Sequence, residues 1–429
     1  MTQRFVALQH RDFRLLWFGR LVSAVGSNMQ IIAVNWHMVE LLSGQSYPLS
    51  LGSWSFELNA EALGLGTLGL VRMVPIVIFA LLGGMVADNV DRRRIMIWTQ
   101  SASLFFSGLL ALLALTGRAS VGWVYLLSAA GAAATAFDEP ARQSLVPNIV
   151  PREHFTNAVS LTTLLFYTAS VVGPAVAGVL IGAFDVGIVY LIDAGSFFAV
   201  LVALLLMAYR RPAGQPRSGF QWQALVEGMR FTYRSRLIWS TMLLDFFATF
   251  FSSARTMLPL VARDILGLGA EGYGLLATAQ PLGAIAAGVT LALRRDIRRQ
   301  GVVLLVSVTI YGLATALFGL STVLTLSYFL FALTGAGDTV STVIRGTIRQ
   351  LATPDRLRGR MTSVNMIFFM GGPQLGELEA GLVASVLGVS FAIFSGGVAT
   401  VLLTAWIAWR YPRLRTFTLD SYERIEQLV

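Results

Sequence analysis

The chain has 429 residues, no cysteine and three histidines; 55% of it is hydrophobic and only 13% is charged. A water-soluble domain carries about 25% charged residues, so most of this surface must face lipid. The net charge of +9 rests on arginine alone, with no lysine, and the arginines fall in short clusters between apolar runs rather than along one basic face, which argues against nucleic acid. Without cysteine there are no disulfides or thiolate metal sites. His10, His37 and His154 are far apart in sequence, so no histidine metal site is expected, and no cofactor is implied.

Residues 1–14 are polar and basic, and the apolar stretch after them is too long for the core of a cleavable signal. A helix crossing a bilayer needs about 20 mostly apolar residues. In chain order the candidates are 15–42, 64–87, 95–117, 121–143, 156–183, 187–209, 237–262, 272–293, 301–320, 322–345, 361–387 and 389–410. Between the first two, residues 44–62 form an outer loop with Tyr47, Pro48, Trp54, Phe56, Glu57 and Glu61, read as a surface insertion or as an outer lid or partner contact. Between the second and third, the run Gly83 to Arg94 packs glycine, carboxylate and arginine into one connection. Such a loop cannot lie in hydrocarbon and belongs at a membrane face. Pro212, Gly214 and Pro216, followed by a basic amphipathic stretch, mark 210–236 as a linker with a helix lying at the membrane surface.

Arginines gather on alternate connections, and Arg118 and Arg263 are those assigned to the opposite side. The positive-inside rule makes the arginine-rich side cytoplasmic, with both termini there. The expectation is an all-α membrane protein with twelve transmembrane helices in two pseudo-symmetric six-helix bundles: 1–209, the linker 210–236, and 237–429. The halves repeat. At an offset of 203 residues Arg142 falls on Arg345, Pro151 on Pro354, Ser160 on Ser363, Gly173 on Gly376, Ala177 on Ala380 and Gly178 on Gly381. Repeated halves are a mark of transporter folds.

The pattern Gly84-x-x-x-Asp88-x-x-x-Arg92-Arg93 resembles the loop between helices 2 and 3 of the major facilitator superfamily, with Asn89 where a basic residue is usual and Asp91 where glycine is usual. The resemblance implies a secondary transporter of the major facilitator fold, in which Asp88 meets the start of the eleventh helix and Arg92 and Arg93 anchor the loop. Gly173-Pro174-Ala175-Val176-Ala177-Gly178 resembles the fifth-helix motif of the superfamily's antiporters, mainly exporters, although Ala169 and Ala177 stand where glycine is usual. A Gly-Pro pair with small neighbours bends a helix and lets another approach. Phe137 to Gln143, Thr353 to Arg360 and Pro373 to Gly381 look like the enterobactin-exporter and macrolide-efflux branch.

An ionisable side chain at the centre of a span costs about 2.5–3.5 kcal/mol on insertion scales, so each needs a partner, water or a role. The proton-coupling or substrate candidates are Glu377, Arg72, Asp138, Glu139, Asp245 and Asp338. Asp193, Arg255 and Glu379 are also intramembrane. Each either faces the cavity or forms a fixed ion pair. Asn28, Gln30, Asn35, Trp36, Gln280 and Asn365 suit a mixed polar and apolar cavity, or bond helix to helix. Gly64-Leu65-Gly66-Thr67-Leu68-Gly69 matches a dinucleotide fingerprint by letter only, since no strand precedes it. There is no nucleotide-binding Gly-Lys-Ser/Thr loop and no nucleophile–base constellation, so no enzyme is expected.

The expected function is proton-coupled export of an amphipathic small molecule, such as a drug, macrolide or siderophore, by a monomer in the lipid of a bacterial inner membrane. A lipid flippase, a nutrient importer of the same fold and a non-transporting receptor are the alternatives.

Overall fold

A computed structural model describes residues 3–51, 54–209, 222–294 and 297–418, the side chains at 3–4, 49, 51, 54–56, 80–89, 222–225, 367 and 370 excepted. The first six long helices are α1 (Arg11–Leu42), α2 (Ala60–Asn89), α3 (Arg92–Leu115), α4 (Val121–Ile149), α5 (Phe155–Ala183) and α6 (Val186–Leu206). Next come α7 (Trp222–Arg234), α8 (Arg236–Phe251), the single turn α9 (Leu258–Leu260) and α10 (Ala270–Leu293). The rest are α11 (Gln300–Leu320), α12 (Leu324–Leu351), α13 (Asp355–Leu387), α14 (Val389–Arg410) and the short α15 (Pro412–Arg415).

A helix or a broken helix covers each expected span. Among the described residues, nine segments are long and apolar enough to cross a membrane. Several boundaries follow from local chemistry. Asp91 caps α3 by accepting from the Arg93 N–H at 2.8 Å and the Arg94 N–H at 3.3 Å, which satisfies amides that no helical carbonyl reaches. This gives a physical reason for an aspartate at the position where the family usually has glycine. Asp185 caps α6 through the Gly187 N–H at 2.7 Å. Gly388, at φ +88°, ends α13 in a conformation that side-chain-bearing residues avoid.

One expectation needs correction. The seventh span is not one helix. After α8 the chain passes through a 3₁₀ turn (Ala254–Met257), α9 and a π-helical turn (Val261–Ile265). Pro259 has no N–H to continue the ladder, and Ser252 turns its hydroxyl to Thr400 at 2.8 Å while its carbonyl accepts from the Tyr311 hydroxyl at 3.2 Å. The outer loop folds as a hairpin. β1 (Ser46–Leu51) pairs antiparallel with β2 (Trp54–Asn59), with Tyr47 opposite Leu58, Leu49 opposite Phe56 and Leu51 opposite Trp54. Apolar residues alternate along both strands, which is the period of a sheet.

The chain forms two compact units, and the sequence is not cut cleanly between them. One contains 1–43, 70–220 and 268–278; the other contains 44–69, 221–267 and 279–429. In the first, α1, α3, α4 and α6 close around Leu16, Met96, Ala141, Leu145, Val200 and Leu204. In the second, α8, α11, α12 and α14 close around Leu244, Leu304, Val308, Ile344, Ile348 and Ile407. α7 packs within the second unit, where Gly228 lies against the Arg360 carbonyl of α13 and Glu227 pairs with Arg360.

The 203-residue repeat has a structural meaning. In the first unit, α5 presents Gly173 to α1, where an added Cβ would stand 2.9 Å from the Val25 carbonyl, and Gly178 to α10, 2.8 Å from the Gly274 Cα. In the second, α13 presents Gly376 to Phe250 of α8 and Gly381 to α2, where the added Cβ would stand 2.5 Å from the Gly66 Cα. The same two positions of each repeat are used for the same two kinds of close approach.

Candidate functional site

The first unit holds a charge cluster at the end where α1 begins and α4 ends. Asp138 of α4 is buried and accepts from Thr99 Oγ1 and Gln100 Nε2 of α3, each at 2.9 Å. Arg20 of α1 stands 3.6 Å from its Oδ2 and Arg142, one turn along α4, stands 3.9 Å away. Glu139 pairs with Arg142 and accepts from Gln143 at 2.8 Å. Arg20, Glu139 and Arg142 open onto a cavity of about 310 Å³ walled by Phe13, Trp17 and Tyr167 among others. A cavity of this size with apolar walls and a few convergent polar groups is what small-ligand sites look like.

The second unit holds a tighter cluster. Asp245 of α8 is bridged by Arg345 at 3.0 Å and Arg349 at 3.2 Å, both from α12. Arg345 also reaches Asp338 at 3.7 Å. Arg349 donates to the Thr241 hydroxyl and carbonyl, each at 3.0 Å, and to the Asn365 side chain. Arg142 and Arg345, matched by the repeat, are thus both hubs of ion clusters. Sequence reasoning missed Arg20 inside an apolar span and counted Arg349 as part of a connection. One signal for Arg349 was its place four residues after Arg345, on the same helix face.

The other candidates are more scattered. Asn28 donates to the Ala24 carbonyl of its own helix at 2.8 Å. Gln30 donates to Ser107 of α3 at 2.8 Å. Asn35 donates to the Tyr273 hydroxyl at 3.3 Å, and Trp36 stacks on the Tyr273 ring at 6.0 Å while donating to Glu40 at 2.6 Å. The Gln280 carbonyl closely approaches Gly335 of α12. Arg72 acts electrostatically on Tyr190, whose hydroxyl shares a 3.1 Å hydrogen bond with His37. Glu377 of α13 lies over Gly69 of α2, its Cβ and Oε2 each 2.6 Å from where a Cβ on that glycine would stand.

Arg92 donates to the Ser144 carbonyl at 2.9 Å, and Arg93 to the Leu204 and Leu205 carbonyls at 2.6 and 3.0 Å. Leu204 and Leu205 are in the last turn of α6, so Arg93 satisfies carbonyls that the helix end leaves over, as arginines do at helix C-termini. The side chains of Gly84 and Asp88 lie outside the described residues. Pro174, mid-helix in α5, is buried, and its carbonyl lies 2.6 Å from a Cβ placed on Gly274.

Two histidines far apart in sequence lie close in the fold. His10 Nε2 and His154 Nδ1 meet at 2.9 Å where the N-terminal turn Gln3–Gln9 docks on α5, because Asn157 accepts the Ala7 N–H at 3.1 Å and draws the two caps together. Among the described residues no group of three or more metal-ligating side chains occurs.

A sequence model of the transmembrane secretion effector family matches residues 2–427. The chain belongs to this family, part of the major facilitator superfamily. It is a multi-pass membrane transporter rather than an enzyme. Among curated proteins, this secretion effector is similar to the enterobactin exporter EntS of Citrobacter koseri, 28% identical over 389 residues that cover 90% of this chain and 89% of that protein. EntS of Escherichia coli matches at the same identity and coverage. Among solved structures it is similar to a bacterial homolog of the human lysosomal transporter Spinster, in an inward-facing and occupied conformation. That match has a TM-score of 0.70 at 16% identity and covers 97% of this chain and 98% of that one. The nucleoside transporter NupG matches with a TM-score of 0.70 at 11% identity, covering 92% and 99%. These two likenesses place the chain in the major facilitator fold.

Proposed function

We propose that this transporter exports an amphipathic small molecule from the cytoplasm, in exchange for protons and by alternating access. The observation that carries the reading is the cavity of about 310 Å³ in the first unit, where aromatic walls from α1 and α5 meet Arg20, Glu139 and Arg142. Such a site takes a ligand with an apolar body and a polar rim. Net charge does not select the ligand there, because the two arginines are matched by Asp138 and Glu139. The direction of transport rests on likeness to the enterobactin exporters and on the family's description as secretion effectors. Siderophores, macrolides and drugs of mixed polarity are the substrate class.

In this reading the two sequence halves act as bundles, with 210–236 linking them. The protein works as a monomer in the bacterial inner membrane, with both termini in the cytoplasm, and the glycine positions 173, 178, 376 and 381 are close-approach seams. Reconstitution in liposomes with an imposed pH gradient tests the proposal across a panel of siderophores and macrolides. Substrate should move against the proton gradient and stop when an ionophore collapses it. Flux of every compound that ignores the gradient removes the antiport, and flux only in the uptake direction removes export.

A further inference from the structure

Asp193 sits about 10 Å along α6 from its start at 1.5 Å per residue, and it is fully enclosed. Its Oδ2 accepts from Ser107 Oγ of α3 at 2.7 Å, and Ser107 in turn accepts from Gln30 Nε2 of α1 at 2.8 Å. Ser27 of α1 also faces the carboxylate. Oδ1 has no hydrogen-bond partner among the described residues, and it lies over Gly26, 3.0 Å from where a Cβ there would stand. The groups acting on Asp193 are those two serine hydroxyls, with no charged group of α1, α3 or α5 among them. Along α6 the next titratable residue is Tyr190, one turn away, whose hydroxyl is held by His37 and feels Arg72, Glu40 and Asp185.

This distinguishes Asp193 from the acids of the two ion clusters. Asp138, Glu139, Asp245 and Asp338 each have an arginine partner. A carboxylate buried among neutral donors lacks a counter-charge, and the partner this site accommodates is a proton on Oδ1 while Ser107 holds Oδ2. We propose that Asp193 is a proton-binding site of the transporter, exchanging the coupling proton at the seam between α1 and α6. A groove of about 430 Å³ along that seam has Gly26 and Ser196 in its walls, so it reaches the residues that cover Oδ1. Of the two hydroxyls that face Asp193, Ser27 is on α1, the helix that carries Trp17 and Arg20 to the cavity, and Ser107 of α3 is held by Gln30 of α1. Proton and substrate therefore share one helix. The coupling role rests on the antiport reading; the proton site does not.

The test uses the full-length transporter in lipid with dicyclohexylcarbodiimide, an apolar reagent that adds to a protonated carboxyl and spares a carboxylate. Peptide mapping should find Asp193 modified, with labelling falling several-fold from mildly acidic to alkaline pH, while Asp138 and Asp245 stay unlabelled. Infrared spectra of the same samples should contain a protonated-carboxyl band that Asp193→Asn removes. If that variant does not fold, Ser107→Ala should shift the band instead. Absence of both the label and the band overturns the proposal, as does a band that neither variant moves. In liposomes Asp193→Asn should keep substrate exchange and lose acceleration by the pH gradient. Labelling of Asp193 with wild-type flux indifferent to the gradient leaves the site standing and removes the antiport reading.

Discussion

The charge cluster on α1 and α4 and the one on α8 and α12 have similar inventories, two arginines balanced by two carboxylates, yet their settings differ. In the second unit the Arg345 and Asp245 side chains are each only 3% exposed, and the bridges to Asp245 are 3.0 and 3.2 Å. In the first, the Arg20 and Arg142 side chains keep 21% and 16% exposure, the bridges to Asp138 stretch to 3.6 and 3.9 Å, and a cavity adjoins them. A dry, closed ion cluster holds helices in register. A looser one beside a cavity has hydrogen-bonding capacity left for a ligand. The repeat matches Arg142 with Arg345, and the two arginines differ in burial and in what adjoins them.

Breaking the comparison starts with Asp245→Ala, which leaves Arg345 and Arg349 facing each other without their carboxylate. A loss of about 3–5 kcal/mol is expected for a broken buried pair, read as a large fall in the thermal midpoint of the detergent-purified protein. An unchanged midpoint refutes the structural role. Replacing Asp245, Arg345 and Arg349 together by Leu, Met and Met sharpens the point, because removing the buried charges together is often neutral, and Asp338, left without Arg345, has a side chain 44% exposed. That triple variant should recover most of the stability lost by the single one. Arg20→Gln should act the other way round. Losing a charged hydrogen bond to ligand is worth about 1.5–3 kcal/mol, roughly a 10- to 100-fold weaker substrate interaction, with the midpoint barely moved. A stability loss as large as that of Asp245→Ala, with binding intact, would put Arg20 in the same class as Arg345. The smallest effect belongs to the solvent-facing pair of Glu227 and Arg360: Glu227→Ala should cost about 1 kcal/mol or less, measured by the same thermal assay.

The helical architecture was legible because hydrocarbon imposes a length and a composition on every span, and those survive in the letters. The break in the seventh helix was written there too, in Ser252, Ser253 and Pro259, but a hydropathy window averages such residues away. The hairpin was legible in the alternation Tyr47, Leu49, Leu51 and Trp54, Phe56, Leu58, overlooked because the segment was treated as a loop. The site was less legible. Asp138 and Asp245 stand out as charges in apolar runs, but their partners Arg20 and Arg349 come from other helices, and no local pattern records which helix lies opposite. Asp193 looked like the other intramembrane acids until the surroundings of each were known.

The glycine meeting points have one more consequence. Where Gly178 meets Gly274, and where Gly381 meets Gly66, backbone rests on backbone with no side chains meshed between. A joint without teeth can part and re-form without any rotamer having to turn, so it acts as a bearing rather than a lock. Each unit holds a joint of this kind, and at Gly178 or Gly381 a single added methyl group would act as a wedge.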